Sequence, residues 1–272
     1  MRAPWDCWMG LSIFRECRVK LMHTPIEAMY GVPTVRDETR VSSGGECLAS
    51  YLGVVAYELA CRLQQELLSA RAEGLIPDVL LLLQHPPALT VGRFKGEDDI
   101  VVPREVLTRD GIDVFHTNRG GSITYHGPGQ LIGYPVVNLK AKGLGVRQYM
   151  WSLEEVIIRL LHTIGIQGHR VADHGGVWVG DKKICSVGVN VSRHISTHGF
   201  ALNVSNDLRY FRYIRPCGLA SGVMTSVSEL SGRSVEVETF VSDAIRCFSE
   251  VFGLICKRKD DTCLDMLGAL SG

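Results

Sequence analysis

Three runs of this chain set reactive or polar side chains among glycines. The first, Arg119 to Pro135 (RGGSITYHGPGQLIGYP), places Gly120, Gly121, Gly127, Gly129 and Gly133 beside Arg119, Tyr125 and His126. Glycine leaves the backbone uncovered, so N–H groups can come close to a ligand. The run is neither a phosphate loop nor a dinucleotide fingerprint, since no Gly-Lys-Ser/Thr follows and no Gly-x-Gly-x-x-Gly occurs. A turn-rich sheet edge is the competing reading. The second run, Gly176 to Ser192 (GVWVGDKKICSVGVNVS), turns at Gly180-Asp181 and re-enters an apolar strand through Lys182 and Lys183. Alternation sends those lysines to opposite faces, so at most one faces a given pocket. A lysine beside a turn is ordinarily solvated, but one entering an apolar strand is costly to bury without a partner. The third, Ser196 to Leu208 with Ile214 to Leu219, holds His198, Asn203 and Cys217. Cys217 stands between Pro216 and Gly218, where a thiol can be presented; a small buried hydrophobe is the alternative.

Other groups compete for the same chemistry. Cys185 lies two residues from Lys183 and by alternation can share its face, which makes it the rival nucleophile or a small buried residue. His126 and His198 keep a Cys–His pairing open. A zinc site from Cys185, His194, His198 and Cys217 lacks properly paired ligands, so no metal is expected.

The elements that must position these runs are legible in part. Val55, Leu59, Leu63 and Leu67 recur four apart and predict a helix from Gly53, stopped by Gly74. Val79 to Leu83 reads as a buried strand ended by His85-Pro86-Pro87, and Ala88 to Val91 as another. Pro103 opens a short helix that closes before Gly111, then Ile112 to Phe115 and Leu131 to Leu139 are extended. A strong helix runs from about Arg147 to Thr163. Val177 to Val179 and Ile184 to Val191 are strands, and Phe240, Ala244, Phe248 and Phe252 mark a last helix. Helices and strands mix without strict alternation, so the fold class is α+β with a mixed or antiparallel sheet and flanking helices.

Composition bounds the function. The 272 residues suit one domain with excess at its ends. Lysine plus arginine and aspartate plus glutamate are 29 each, which argues against broad phosphate tracking and so against nucleic acid. No apolar run approaches the roughly 20 residues of a membrane span. Nine cysteines, with no Cys-x-x-Cys pair, read as reduced thiols in a cytosol-like compartment. Cys7 to Phe14 shows no convincing cleavage site, and residues 1–45 mix acid with base, unlike a transit peptide. The expected division is a poorly ordered extension over 1–45, a catalytic domain over 46–253 and a tail over 254–272.

Taken together, Arg-Gly-Gly-x-x-Thr-Tyr-His-Gly-Pro-Gly-Gln at 119–130, Gly-Val-Trp-Val at 176–179, Lys-Ile at 183–184, His-Gly-x-Ala-Leu-Asn at 198–203 and Pro-Cys-Gly at 216–218 resemble the lipoyl(octanoyl) transferases, also called lipoate-protein ligase B. The resemblance runs from about Glu46 to about Phe252. It implies the catalytic-domain fold shared by biotin and lipoate ligases. It implies a Cys217–Lys183 dyad, and an acyl site lined by Arg119, Gly120, Gly121, Ser122, Ile123, Thr124, Tyr125, His126, Ser186, Val187, Gly188, Gly199, Phe200 and Ala201. The implied reaction moves octanoyl from acyl carrier protein to a lysine of the lipoyl domains of 2-oxoacid dehydrogenases and of the glycine cleavage H protein, in the cytoplasm and without a cofactor. Two departures stand out: Cys185 replaces a more usual alanine, and the extension before Glu46 has no counterpart in short members.

The residue types suit that chemistry. A thiolate must form from a group with an ordinary pKa near 8.5. An ammonium about 4 Å away contributes about 4 kcal/mol at an effective dielectric of 20, roughly three pKa units, with burial pulling the other way. Two other classes fit less well. An ATP-dependent ligase needs no cysteine, and a non-catalytic binder needs neither Cys217 nor Lys183.

Overall fold

The computed structural model describes residues 45–94, 96–172, 174–215 and 223–260. In chain order its elements are β1 (Glu46–Val54), α1 (Tyr57–Ala72), β2 (Asp78–Gln84), β3 (Ala88–Val91), α2 (Arg104–Arg109), β4 (Asp113–His116), β5 (Ile123–His126) and β6 (Gln130–Val136). There follow α3 (Val146–His162), β7 (His169–Val171), β8 (His174–Val179), β9 (Lys182–Ser192), β10 (Ile195–Asn203), α4 (Val227–Ser231), α5 (Val241–Phe252) and β11 (Ile255–Arg258).

The apolar run of β2 sets the frame. A strand apolar on both sides needs cover on both faces. Leu80 and Leu82 enter one core, Val79, Leu81 and Leu83 the other. On the first face α3 and α5 pack through Leu153, Ile157, Leu160, Ala244 and Phe248. On the second, α1 packs through Ala60, Leu63 and Leu67. The sheet between them runs β11-β1-β2-β6-β10-β9-β8-β7. Its first three strands are parallel and the rest antiparallel, so it is a mixed sheet with flanking helices, as the residue pattern implied.

A second sheet, β4-β3-β5, sits apart. Leu89, Val91, Ile123 and Tyr125 fasten it to Leu107, Phe211, Ile214 and Met224 in a third core. Five strands, β1, β5, β7, β10 and β11, were not read from the sequence. β1 is paired on both edges, and β10 is buried along its whole length despite Ser196, Thr197, His198 and Asn203. The sheet also continues past residue 253, because β11 lies within the segment expected to be a tail. Residues 1–44 of the expected extension, and residues 261–272, lie outside the described residues.

Candidate active site

The small sheet leans against β9 and β10, and a cavity of about 490 Å³ lies between them. The contact is close because glycine allows it. Gly120 N–H donates to Val189 O at 2.8 Å, and a Cβ on Gly188 would stand 3.0 Å from Gly120 O. Any side chain at 188 would push the two sheets apart. Arg119, Gly120, Gly121, Ser122, Ile123, Thr124 and His126 line the cavity from one side. Lys183, Ser186, Val187 and Gly188 of β9, with Gly199, Phe200 and Ala201 of β10, line the other. Tyr125 is outside: its ring packs against Tyr210 and Phe211 at 5.1 and 5.5 Å in the third core. Alternation along β5 turns it away from its neighbours Thr124 and His126.

Tyr57, Phe94, Tyr134, Val146, Met150, His174 and Met224 complete the lining. Of these only Tyr134 sits in a run read from the sequence, at the end of Arg119 to Pro135. The others come from the starts of α1 and α3, the first residue of β8 and the stretches around Phe94 and Met224, and folding, not composition, brings them to the site.

Lysines 182 and 183 diverge as alternation requires. Lys182 reaches out to Glu229 at 3.1 Å, while Lys183 is 7% exposed and lines the cavity. Its Nζ stands 5.8 Å from the Trp178 ring centroid. Cys185 does not share its face. The register of β8 with β9 slips between Val177 and Trp178, so Lys183 faces Trp178 whereas Cys185 faces Val177. Consecutive residues of β8 point opposite ways, and their partners follow. Cys185 is fully buried in the main core, and burial pushes its thiol up to about 12. A thiol so held stays protonated near neutrality and makes a poor nucleophile.

Cys217 lies outside the described residues. The chain enters that segment from Arg215, whose N–H donates to Asp99 O at 2.8 Å. It leaves at Val223, whose carbonyl accepts from Lys183 N–H at 2.7 Å, and Thr225 N–H donates to Lys183 O at 2.9 Å. Lys183 is thus laddered to the strand-like stretch that follows the Pro-Cys-Gly run.

A buried polar chain crosses the site. Arg119 donates to Thr90 Oγ1 from Nη2 at 2.8 Å and from Nε at 3.2 Å, and to Thr90 O and Gly120 O. With both lone pairs occupied, the Thr90 hydroxyl donates to His126 Nε2 at 3.2 Å. His126 then carries its proton on Nδ1 and donates to Gln130 Oε1 at 2.8 Å. Gln130 Nε2 continues to Asn203 Oδ1 at 2.9 Å, and Asn203 Nδ2 ends on Thr225 O at 3.0 Å. The chain links the cavity arginine to the residue laddered on Lys183.

Burial, with His85 and Arg119 nearby, holds His126 well below the ordinary histidine range. Burial and Arg119 bring His198 down to about 4, its Nε2 bonded to Asn118 Oδ1 at 2.8 Å. Both imidazoles are neutral at physiological pH, and both ring nitrogens of His126 are already engaged. Among the described residues no three His, Cys, Asp or Glu are placed to hold a metal ion, and no helix is long and apolar enough to cross a membrane.

The family model of the lipoyl protein ligase A/B catalytic domain matches residues 56–249. The octanoyltransferase of Alkaliphilus metalliredigens is 45% identical over 202 residues, covering 74% of this chain and 93% of that protein. That of Caldicellulosiruptor saccharolyticus is 43% identical over 205 residues, 75% of this chain and 87% of that one. Among solved structures, lipoate-protein ligase A bound with ATP aligns with a TM-score of 0.61 at 16% identity, covering 84% of this chain and 94% of that one. The bipartite lipoate protein ligase of Thermoplasma acidophilum aligns at 0.61 and 16%, covering 82% and 92%. At such identities the structural likeness speaks for the fold alone.

Proposed function

The chain belongs to the lipoyl protein ligase A/B catalytic domain family, and from that premise we propose how it performs the octanoyl transfer of its relatives. It is an acyltransferase of lipoate biosynthesis that acts on lipoyl-domain proteins. The donor is octanoyl-acyl carrier protein, and the acyl group rests on Cys217 between two half-reactions. Cys217, as thiolate, attacks the octanoyl thioester carbonyl. The carrier thiol leaves and takes its proton from the Lys183 ammonium. Neutral Lys183 then accepts a proton from the acceptor lysine as its amine attacks the Cys217 thioester, and the Cys217 thiolate leaves beside a recharged Lys183. Backbone N–H groups of the glycine runs stabilise the oxyanion of each tetrahedral intermediate. The acceptors are lysines of 2-oxoacid dehydrogenase lipoyl domains and of the glycine cleavage H protein, and the reduced thiol suits the cytoplasm.

One observation carries this reading: β9 brings Lys183 into a cavity walled largely by glycine and apolar side chains, on the strand laddered to the stretch that follows Cys217. The volume falls within the usual range for a small-ligand pocket, about 300–1,000 Å³. The test is intact mass of the protein after mixing with octanoyl carrier protein and then with apo lipoyl domain, without ATP. We expect an octanoyl adduct on Cys217 that hydroxylamine removes and that passes to the lipoyl domain, and its absence from Cys217→Ser. A requirement for ATP, or transfer that survives Cys217→Ser, would overturn the reading.

A further inference from the structure

Helix α3 turns one acidic side chain inward. Glu154 is 9% exposed on a face otherwise made of Leu153, Val156, Ile157, Leu160 and Leu161. A carboxylate taken out of water is costly unless paired and hydrogen-bonded. Glu154 is held twice. Arg170 Nε donates to Oε2 at 3.2 Å, and the Gly176 N–H donates to Oε1 at 2.8 Å. The acyl-transfer steps above use neither bond, so this buried charge needs another reason to be there.

Gly176 supplies it. Its φ is +109°, in the region that side chains avoid. A Cβ here would overlap Cys185 O and stand 2.8 Å from Lys183 Cε. The aliphatic stem of Lys183 therefore lies directly on the Gly176 backbone as it passes into the cavity. His174 and Gly175, just before it, line that cavity, as does Met150, one helical turn before Glu154 on α3. Arg170 in turn is fixed by Glu155 at 2.8 Å and lies 4.0 Å over the Trp151 ring. A chain of contacts thus runs from the surface, through Arg170 and Glu154, to the strand under Lys183.

We infer that Glu154 is a positioning residue for acyl transfer. By holding the Gly176 N–H it fixes the backbone over which Lys183 runs, and so sets where the ammonium stands. The inference rests on Lys183 acting in the reaction. A lysine stem has four rotatable bonds and needs a wall to define its end point. Misplacing a reacting group by about 1 Å can cost around a hundredfold in rate.

The experiment measures kcat and KM for octanoyl carrier protein, with thermal stability, on the full chain. Glu154→Ala should lower kcat by about tenfold or more while KM stays within about twofold, the signature of a misplaced group rather than a lost contact. Glu154→Gln keeps an oxygen for the Gly176 N–H and should recover most of the loss. If Glu154→Ala fails to fold, Glu154→Asp decides the matter: it keeps the charge but withdraws the oxygen, and should fall with the alanine variant's expected rate. Wild-type kcat in the variant that folds, or a Glu154→Gln as slow as its partner, overturns the inference. Lys183→Ala runs alongside. A fully active Lys183→Ala sinks the mechanism itself, whereas an inactive one beside a fully active Glu154→Ala sinks only the positioning role.

Discussion

Replacing Thr90 by valine removes one oxygen and changes the shape of the site very little. Thr90 is fully buried, and its hydroxyl accepts two bonds from Arg119 and donates one to His126. A hydrogen bond to a charged group contributes about 1.5–3 kcal/mol, and an orphaned buried acceptor costs about 1–3 kcal/mol. Arg119 keeps Thr90 O and Gly120 O, which holds its loss to the low end. The extra apolar group of valine returns roughly 0.8 kcal/mol. The net destabilisation is about 2–4 kcal/mol, read as a fall in Tm of roughly 5–15 °C for a domain of this size. Thr90→Ser is the control: it keeps the hydroxyl, loses a methyl and costs about 1 kcal/mol. Urea denaturation of both variants separates the terms. If valine, the better fit by shape, proves as stable as serine or more so, the polar chain from Arg119 to Thr225 does not hold the site together.

Histidine burial predicts a particular acid sensitivity. His85 and His198 stand at about 4 in the folded protein, lowered chiefly by burial, against about 6.5 when unfolded. Between those values the unfolded chain binds protons that the native one refuses, so stability falls as pH drops from about 6.5 to about 4, by up to about 3 kcal/mol per histidine. Denaturant midpoints across that window should show the slope, and His198→Asn should reduce it by one proton's worth; an unchanged slope in that variant would contradict the assignment. Cys185→Ala should retain the octanoyl adduct and its transfer while losing about 1–2 kcal/mol of stability as a small core truncation. Disappearance of the adduct from this variant would move the nucleophile to Cys185.

The elements that sequence patterning exposed were those with a single unambiguous period. α1, α3 and α5 each bury one stripe, and β2 is apolar from Val79 to Leu83, so their residues announce them. β10 was not legible because its buried polar groups are satisfied by partners far along the chain. His198 N–H donates to Gln64 Oε1, and Ser196 donates to Pro135 O. Gln130 and Asn203 likewise read as ordinary polar residues until the fold bonds them to each other, between His126 and Thr225. The motif runs were visible as runs. Their convergence on one cavity depends on Gly188 and Gly120 letting two sheets touch.

The clearest instance concerns two residues that simple alternation could not tell apart. A strand read at period two places Lys183 and Cys185 on one face, which would set a second thiol beside the lysine. The register slip at Ile184 changes that by one residue, and one residue is enough to reverse a face. Lys183 goes to the cavity, and Cys185 goes to the core with Val177 and Leu202. Nothing in the tripeptide Lys-Ile-Cys signals the slip, since it arises from how β8 pairs with β9 across the turn at Gly180-Asp181. The same slip brings Cys185 O and Lys183 Cε together above Gly176. Glycine at 176 and the slip at 184 are therefore one arrangement. A substitution that restored regular pairing of β8 with β9 would put Lys183 and Cys185 back on one face, so that one of the two would leave its present place without any change to a residue that faces the cavity.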